Sequence, residues 1–429
     1  MRYPYFLTAF FRAWYQLGAV ALLLLARPAA AYSVLTHQAN VDSCWARSLR
    51  PALEERFPGA TAAELLSAKA YAYGGSIIQD MGYFPFGSAL FTNLTHYVRS
   101  GDFVRNLLTL AATREEYAFA LGALSHYAAD VEGHGSGTNR AVPIIFPELA
   151  AKFGPVVTYL EAPLAHSRAE FAFDVVQLAA GHYRTTAYQS FVGFRVQKDV
   201  LARAFRQTYG LELSEVVLNV DLSVASYRFA VRRLIPAVSR AAWRANRHQI
   251  RREVPGVQRR EMVYRVSRSA YHQQFGTDYE RPGVRARILT GVLQVLPKVG
   301  PLRALRFVTP PAEAQRVYRA SFARTVRRYG ELLHSQVRGG QMLSGASLPN
   351  TDFDTGHPTR LGEYALADQT YGEWLRKLDK EDFKRLSEPM KQNLLDFFTQ
   401  TTNAPVDAEE REHDNLRHTQ AALARLRAR

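Results

Sequence analysis

Cysteine is nearly absent from this chain. Cys44 stands alone, which excludes an intrachain disulfide and leaves the redox compartment unreadable from cysteine pairing. A lone Cys beside apolar sequence reads as a small buried residue. Strand-like alternation is scarce and no internal repeat is visible, so neither a sheet architecture nor a repeat array is indicated. Past residue 31, no stretch is long and apolar enough to be a confident transmembrane helix. What is present describes a folded protein: 429 residues, 47% apolar and 22% charged, enough to bury a substantial core in one large domain or in two to three ordinary ones. The net charge of +15 favours anionic partners such as phospholipid surfaces or nucleic acid, and says nothing about fold.

The N-terminus carries the one long apolar run. Arg2 and Arg12 precede Leu17–Ala26, and Arg27-Pro28-Ala29-Ala30-Ala31 follows. Small residues at 29 and 31 fit a signal-peptidase site, and the run is short for a spanning helix. Residues 1–31 therefore read as a secretory signal peptide and the mature chain as beginning at Tyr32, secreted or in the periplasm or cell envelope. The competing reading is an uncleaved N-terminal anchor.

After Tyr32 the chain reads as helical. Ala62–Tyr73 is a helix ended by Gly74-Gly75, which delivers Ser76–Gly82 as a loop. Phe91–Ser100 is a helix with His96 at its centre, and Asp102 caps the next, Phe103–Ala112. Thr113 with Glu116 three residues later opens a helix that carries His126 and Asp130. Gly133, Gly135 and Gly137 stop it and open a Pro- and Gly-rich loop to about Pro155. Glu161–Ala180 is the next long helix, and helical segments follow near Val200–Tyr209, Leu222–Ile235 and Arg240–Arg252. Positive charge gathers here, with 28 Lys and Arg against 10 Asp and Glu between Arg195 and Arg338. Most such charge is a solvated face, and a density this one-sided also suits an anionic surface. Ile288–Pro311 fits an interfacial membrane contact or a buried helix pair broken at Pro297, and the buried pair is the favoured reading. Ser347–Thr359 is polar and turn-rich, Tyr371–Gln400 a highly charged, amphipathic helical tract, and Asp407–Arg429 a solvated terminal helix or frayed tail.

The chemistry-bearing residues cluster early. Five of the 12 histidines, His37, His96, His126, His134 and His166, fall within the first 170 residues, interleaved with Asp80, Asp130 and Glu170. His126 and Asp130 lie four apart, as do His166 and Glu170, so each pair projects from one helix face. Such a pair is either a surface hydrogen bond or two ligands for one divalent cation. Two pairs with His134 between them favour metal, and the mixture of imidazole and carboxylate suits zinc better than calcium or magnesium. The set is too large for one tetrahedral ion and large enough for a multinuclear site. Asp174 and His182 read as supporting or structural residues; His248, His272, His334 and His357 read as bystanders.

The order Tyr32, His37, Asp80, His96, His126-Tyr-Ala-Ala-Asp130, His134, His166-Ser-Arg-Ala-Glu170 resembles the zinc-dependent phospholipase C family, more distantly related to S1/P1-type nucleases. The motif covers roughly residues 32–180. The resemblance implies an all-α, multi-helix phospholipase C/P1 nuclease-like bundle, here with additional C-terminal helices, and up to three zinc ions. Asp130 would bridge two of them. One would also take Asp80, His96 and His126, and the other His37 with the free amine and carbonyl of Tyr32. The third would take His134, His166 and Glu170. The family usually begins with Trp where Tyr32 stands, usually has Pro where Gln79 precedes Asp80, and spaces the residue at His134 further from Asp130. Its toxin members add a C-terminal β-sandwich, which residues 346–429 do not resemble.

The expected organisation is thus a signal peptide at 1–31, a helical zinc-dependent domain at 32–345 with a metal site within 32–180 and a basic part at 195–338, and a charged helical tail at 346–429. The expected activity is hydrolysis of phosphate esters, foremost phospholipase C-like cleavage of phospholipid diesters, with Asp80 as ligand and water-orienting base. The substrate would be an anionic or zwitterionic phospholipid surface, with no obligate protein partner inferred. A nuclease acting on nucleic acid, or a non-catalytic envelope protein with a structural zinc site, are the alternatives.

Overall fold

A computed structural model describes residues 33–83, 86–179, 194–229, 307–338, 341–342, 348–399 and 410–429, with isolated positions between 240 and 256. The signal-peptide reading, Tyr32, His182, residues 230–235 of the segment expected over Leu222–Ile235, positions 241, 242, 245, 246 and 249 of Arg240–Arg252, His272, and residues 288–306 of the apolar basic stretch lie outside these. The fold is all-α. In chain order the helices that matter here are α1 (Val34–Cys44), α2 (Arg50–Arg56), α3 (Ala62–Gly75), α4 (Ala89–Tyr97), α5 (Ser100–Leu110), α6 (Arg114–Gly133), α7 (Asn139–Ile145), α8 (Pro147–Phe153), α9 (Pro163–Ala179), α10 (Lys198–Tyr209), α11 (Leu213–Val216), α12 (Val220–Phe229) and α13 (Ala312–Gln336). After α13 a two-residue hairpin pairs Val337–Arg338 with Gln341–Met342. Then come α14 (Ala365–Lys380), α15 (Glu388–Thr399) and α16 (Glu410–Arg427). No described helix is long and apolar enough to cross a membrane.

Helix α6 is the axis. Thr113 and Glu116 form a reciprocal capping box at its start, as the sequence signature predicts. Every residue from Glu116 to Asp130 is buried, which a helix achieves only when neighbours surround it on all sides. Helix α3 makes the closest approach. A Cβ on Gly122 would collide with the Ala72 carbonyl, and one on Gly75 with the Phe119 carbonyl, so the two backbones meet where neither carries a side chain. The carbonyl of Ser76, just past α3, then accepts a hydrogen bond of 2.9 Å from His126 Nδ1. The expected loop at Ser76–Gly82 contains a short 3-10 turn, Gln79–Tyr83, which buries Asp80.

Two sequence expectations change. Asp102 is not a cap: α5 begins at Ser100, behind Arg99 in the left-handed conformation at φ 51°. Asp102 instead pairs with Arg99 and Arg105. The loop expected after Gly133 is helical; the chain widens into a π turn, His134–Thr138, and continues through α7 and α8. Gly135 serves packing, since the Thr355 carbonyl lies 3.0 Å from where its Cβ would sit. The amphipathic helical tract expected over Tyr371–Gln400 consists of two helices, α14 and α15, parted where Asp382 and Phe383 both take positive φ.

The C-terminal residues pack into the same core. Trp374 is fully buried and its indole N–H donates to the Tyr209 carbonyl at 2.8 Å. Helix α16 docks on α14 with Ala422 and Leu426 buried and Arg425 paired to Asp379.

Helix α1 is fixed from across the fold. Asp174, on α9 one turn beyond Glu170, accepts from the backbone N–H of Leu35 at 2.8 Å and of Thr36 at 2.9 Å, and from the Thr36 hydroxyl at 2.6 Å. It thereby satisfies N–H groups that a helix start leaves open. Burial raises Asp174 to about 6, against the pull of those donors. The folded chain therefore binds this proton more tightly than the unfolded chain, so the group's contribution is complete below about pH 4 and declines as pH rises through 6. Replacing Asp174 by Ala should cost about 2–4 kcal/mol in denaturant unfolding, with a larger loss at pH 4 than at pH 7. A loss under about 0.5 kcal/mol at both would contradict the capping role.

Candidate metal centre

Five of the residues singled out from the sequence converge between α1, the 3-10 turn, α4 and α6: His37, Asp80, His96, His126 and Asp130. All are at most 1% exposed. His96 Nδ1 donates to the Thr92 carbonyl at 2.8 Å and His126 Nδ1 to that of Ser76, which turns Nε2 of each inward. Asp130 Oδ2 lies 3.3 Å from His96 Nε2 and 3.0 Å from His126 Nε2. Its other oxygen, Oδ1, faces His37 Nε2 at 3.5 Å. Asp80 repeats this division, with Oδ1 3.4 Å from His96 Nε2 and Oδ2 3.6 Å from His37 Nε2. The imidazoles of His37 and His126 stack with centroids 4.3 Å apart.

His134, His166 and Glu170 form a second group, with ligand atoms within 4.8 Å of one another. His166 Nε2 donates to the Val157 carbonyl at 2.6 Å, which leaves Nδ1 facing Glu170 Oε1 at 3.6 Å. His134 stands at the first residue of the π turn. Although it repeats the four-residue step from Asp130, it joins this second group.

The charges within this buried volume are strongly interdependent. Burial, reinforced by His126, lowers His37 to about 4, and burial with His134 nearby lowers His166 to about 3. Both rings are thus neutral, the form in which imidazole ligates a cation. Burial opposes charge on His96 too, but the Asp130 and Asp80 carboxylates outweigh it and raise the ring to about 10. Glu170 is pushed well above the carboxylate range, first by burial and then by Asp80, Asp130 and Asp354. Asp130 is held well below it, against burial, by His126, His96 and His37.

Zinc fits these residues. Both oxygens of Asp80, Asp130 and Glu170, Nε2 of His96 and His126, both nitrogens of His134 and Nδ1 of His166 are buried without a hydrogen-bond partner. So dense a set of unsatisfied polar atoms is costly unless a cation joins them. With zinc bonds of 2.0–2.2 Å, two ligands on one tetrahedral ion stand roughly 3.3–3.6 Å apart. The distances above bracket that edge, and most are too long for a charge-assisted hydrogen bond.

Residues 36–217 match the family model of zinc-dependent phospholipase C. That stretch belongs to the zinc-dependent phospholipase C family. It contains every clustered residue named so far, and the family together with two buried His and carboxylate clusters supports zinc binding. No curated protein and no solved structure matches the chain.

Beyond the phospholipase C domain, the structure adds residues that sequence reasoning passed over. The segment after the hairpin, expected only as polar and turn-rich, lies across the metal centre. Phe353 is buried with its ring 5.0 Å from that of His96 and 6.0 Å from that of His126. Asp354 Oδ1 lies 3.5 Å from His134 Nε2. Ser100 holds the segment by accepting from Thr351 N–H and donating to its carbonyl, and Tyr127 donates to Pro349. The run Asn350-Thr-Asp-Phe-Asp-Thr-Gly356, with two acids at alternate positions, is the signal that could have marked it. His334 and His357 are exposed and stand apart from the centre.

Proposed function

We propose that the protein is a zinc-dependent phosphodiesterase acting on phospholipids in the manner of a phospholipase C. The observation that carries this reading is Asp130, which presents one oxygen to His37 and the other to His96 and His126. This is the disposition of a carboxylate shared by two cations. When bound, zinc supplies Lewis acidity toward the phosphoryl oxygens and a water nucleophile near neutral pH. His96 and His126 keep Nε2 inward through the Thr92 and Ser76 carbonyls. Asp80 presents oxygens toward both sides of the pair, which suits it to orient a water and accept its proton. His134, His166 and Glu170 would hold a third ion.

The mature N-terminus would complete the His37 side. His37 sits in the first turn of α1, and Val34 is two residues from Tyr32, about 7 Å of extended chain. A free Tyr32 amine would be within reach, whereas an amide in an uncleaved chain is a poor ligand. A chain purified with residues preceding Tyr32 should therefore carry less zinc than one beginning at Tyr32, and its turnover should fall by about 100-fold. Equal zinc content by elemental analysis would remove Tyr32 from the site. The apolar run before Ala29-Ala30-Ala31 supports export to the envelope or medium, and the net charge of +15 supports attraction to anionic membranes.

The test is hydrolysis of phosphatidylcholine vesicles and of single-stranded DNA by the mature protein, with chelation and zinc restoration. Release of a phosphorylated head group that stops on chelation and on Asp80→Asn supports the proposal. Cleavage of DNA alone would replace it with a nuclease. Zinc-dependent thermal stability without hydrolysis of either would leave a structural zinc protein.

A further inference from the structure

We propose that Asp354 is a metal ligand, supplied by the C-terminal part of the chain to the ion held by His134, His166 and Glu170. The inference rests on the third-ion reading above and concerns a residue well outside residues 36–217, the family match. A zinc site built from three protein ligands leaves one tetrahedral position unfilled, and the structure brings a buried carboxylate to its edge.

Asp354 is 3% exposed and is held in the way that metal-bound carboxylates are held. Its Oδ2 accepts hydroxyl hydrogen bonds from Tyr97 at 2.8 Å and Tyr364 at 2.5 Å. Its backbone N–H donates to Asp352 Oδ1 at 2.9 Å, and its carbonyl accepts from Asn139 Nδ2 at 2.7 Å. The tyrosines come from α4 and from just before α14 and hold the side chain, while Asn139, which opens α7, holds the main chain, so three separate elements fix one residue. With Oδ2 committed to two tyrosines, Oδ1 is the atom turned toward His134 Nε2, at 3.5 Å. That is too long for a hydrogen bond between charged partners and is close to the His166–Glu170 separation of 3.6 Å. Both ring nitrogens of His134 lack a hydrogen-bond partner. A carboxylate buried against that ring and within electrostatic reach of Glu170 adds negative charge that a bound cation would balance. Tyrosine hydroxyls on the outer oxygen are the supporting contacts that orient a ligating carboxylate.

A site with four protein ligands is closed, whereas one with three keeps a position for water or substrate. Asp354 therefore assigns the third ion a holding role and leaves reaction to the Asp130 pair. It also makes residues 348–364 part of the metal centre.

The test compares zinc content and affinity in the full mature chain, its Asp354→Asn variant and its His166→Ala variant, with Tyr364→Phe as a check on folding. Asn keeps the volume and an oxygen for the tyrosines. Expected is one zinc fewer, or third-ion affinity weaker by about 100-fold, in both Asp354→Asn and His166→Ala. Tyr364→Phe should retain full zinc content with a weakened affinity. In the cobalt-substituted protein, Asp354→Asn should alter the visible absorption of the third ion, since a coordinating atom changes. Loss of zinc in His166→Ala with wild-type affinity and cobalt spectrum in Asp354→Asn would overturn the inference while leaving the third ion in place. Unchanged zinc content in His166→Ala would overturn the third-ion reading itself.

Discussion

Replacing Asp130 by Ala is expected to strip the Asp80–His96–His126 side and the His37 side of zinc together. Each depends on one oxygen of the same carboxylate, at 3.0–3.3 Å from His126 and His96 and at 3.5 Å from His37. Deleting any one of the histidines should weaken one side. Deleting Asp130 removes the carboxylate that faces three buried imidazoles at once. Hydrolysis should fall by about 1,000-fold or more, because both polarisation of the phosphoryl group and activation of water are lost. Elemental analysis should show the deficit extending beyond one ion per chain, while zinc held by His134, His166 and Glu170 remains. A variant that loses a single zinc, or that retains activity within about tenfold, would show that Asp130 serves one side only.

The second large effect concerns no ligand at all. Gly122→Val should destabilise the fold by about 3 kcal/mol or more, because its first added carbon already meets the Ala72 carbonyl and lies 2.9 Å from the Ser76 nitrogen. Neither obstacle is a flexible side chain that could step aside. Helix α3 must move away from α6, and the Ser76 carbonyl moves with it. That carbonyl fixes the His126 tautomer, so zinc affinity should fall alongside the thermal midpoint. Ala at the same position should show both effects in smaller measure. Thermal unfolding with and without zinc checks this: a midpoint within about 2 °C of wild type would mean that the helices can part freely.

Much of the centre is legible in the sequence because its pieces are local. His126 and Asp130 share a helix face through a four-residue step, as do His166 and Glu170, and the Thr113–Glu116 capping box announces the start of α6. Glycine was harder to read. Gly133, Gly135 and Gly137 suggest the end of a helix, yet the chain continues through a π turn, and at Gly135 the Thr355 carbonyl passes where a side chain would stand. Gly101 is likewise no breaker; the Leu348 and Pro349 carbonyls pass over it. Propensity counts the entropic cost of glycine and is blind to a backbone arriving from some 250 residues away.

By itself, the sequence determined the helical class, the identity and order of the imidazoles and carboxylates, and their kinship with the zinc-dependent phospholipase C family. The class follows from periodicity and the candidate ligands from the donor chemistry of each residue type, while the kinship rests on the resemblance of their order to that family. Tertiary structure alone brought these residues within a few ångströms of one another. It turned the two oxygens of Asp130 toward different histidines and made Asp174 the cap of α1. It also laid Phe353 and Asp354 against the centre. The reason is that a metal site is defined by distances of a few ångströms between side chains far apart in the chain, and no local pattern encodes those until the helices have packed.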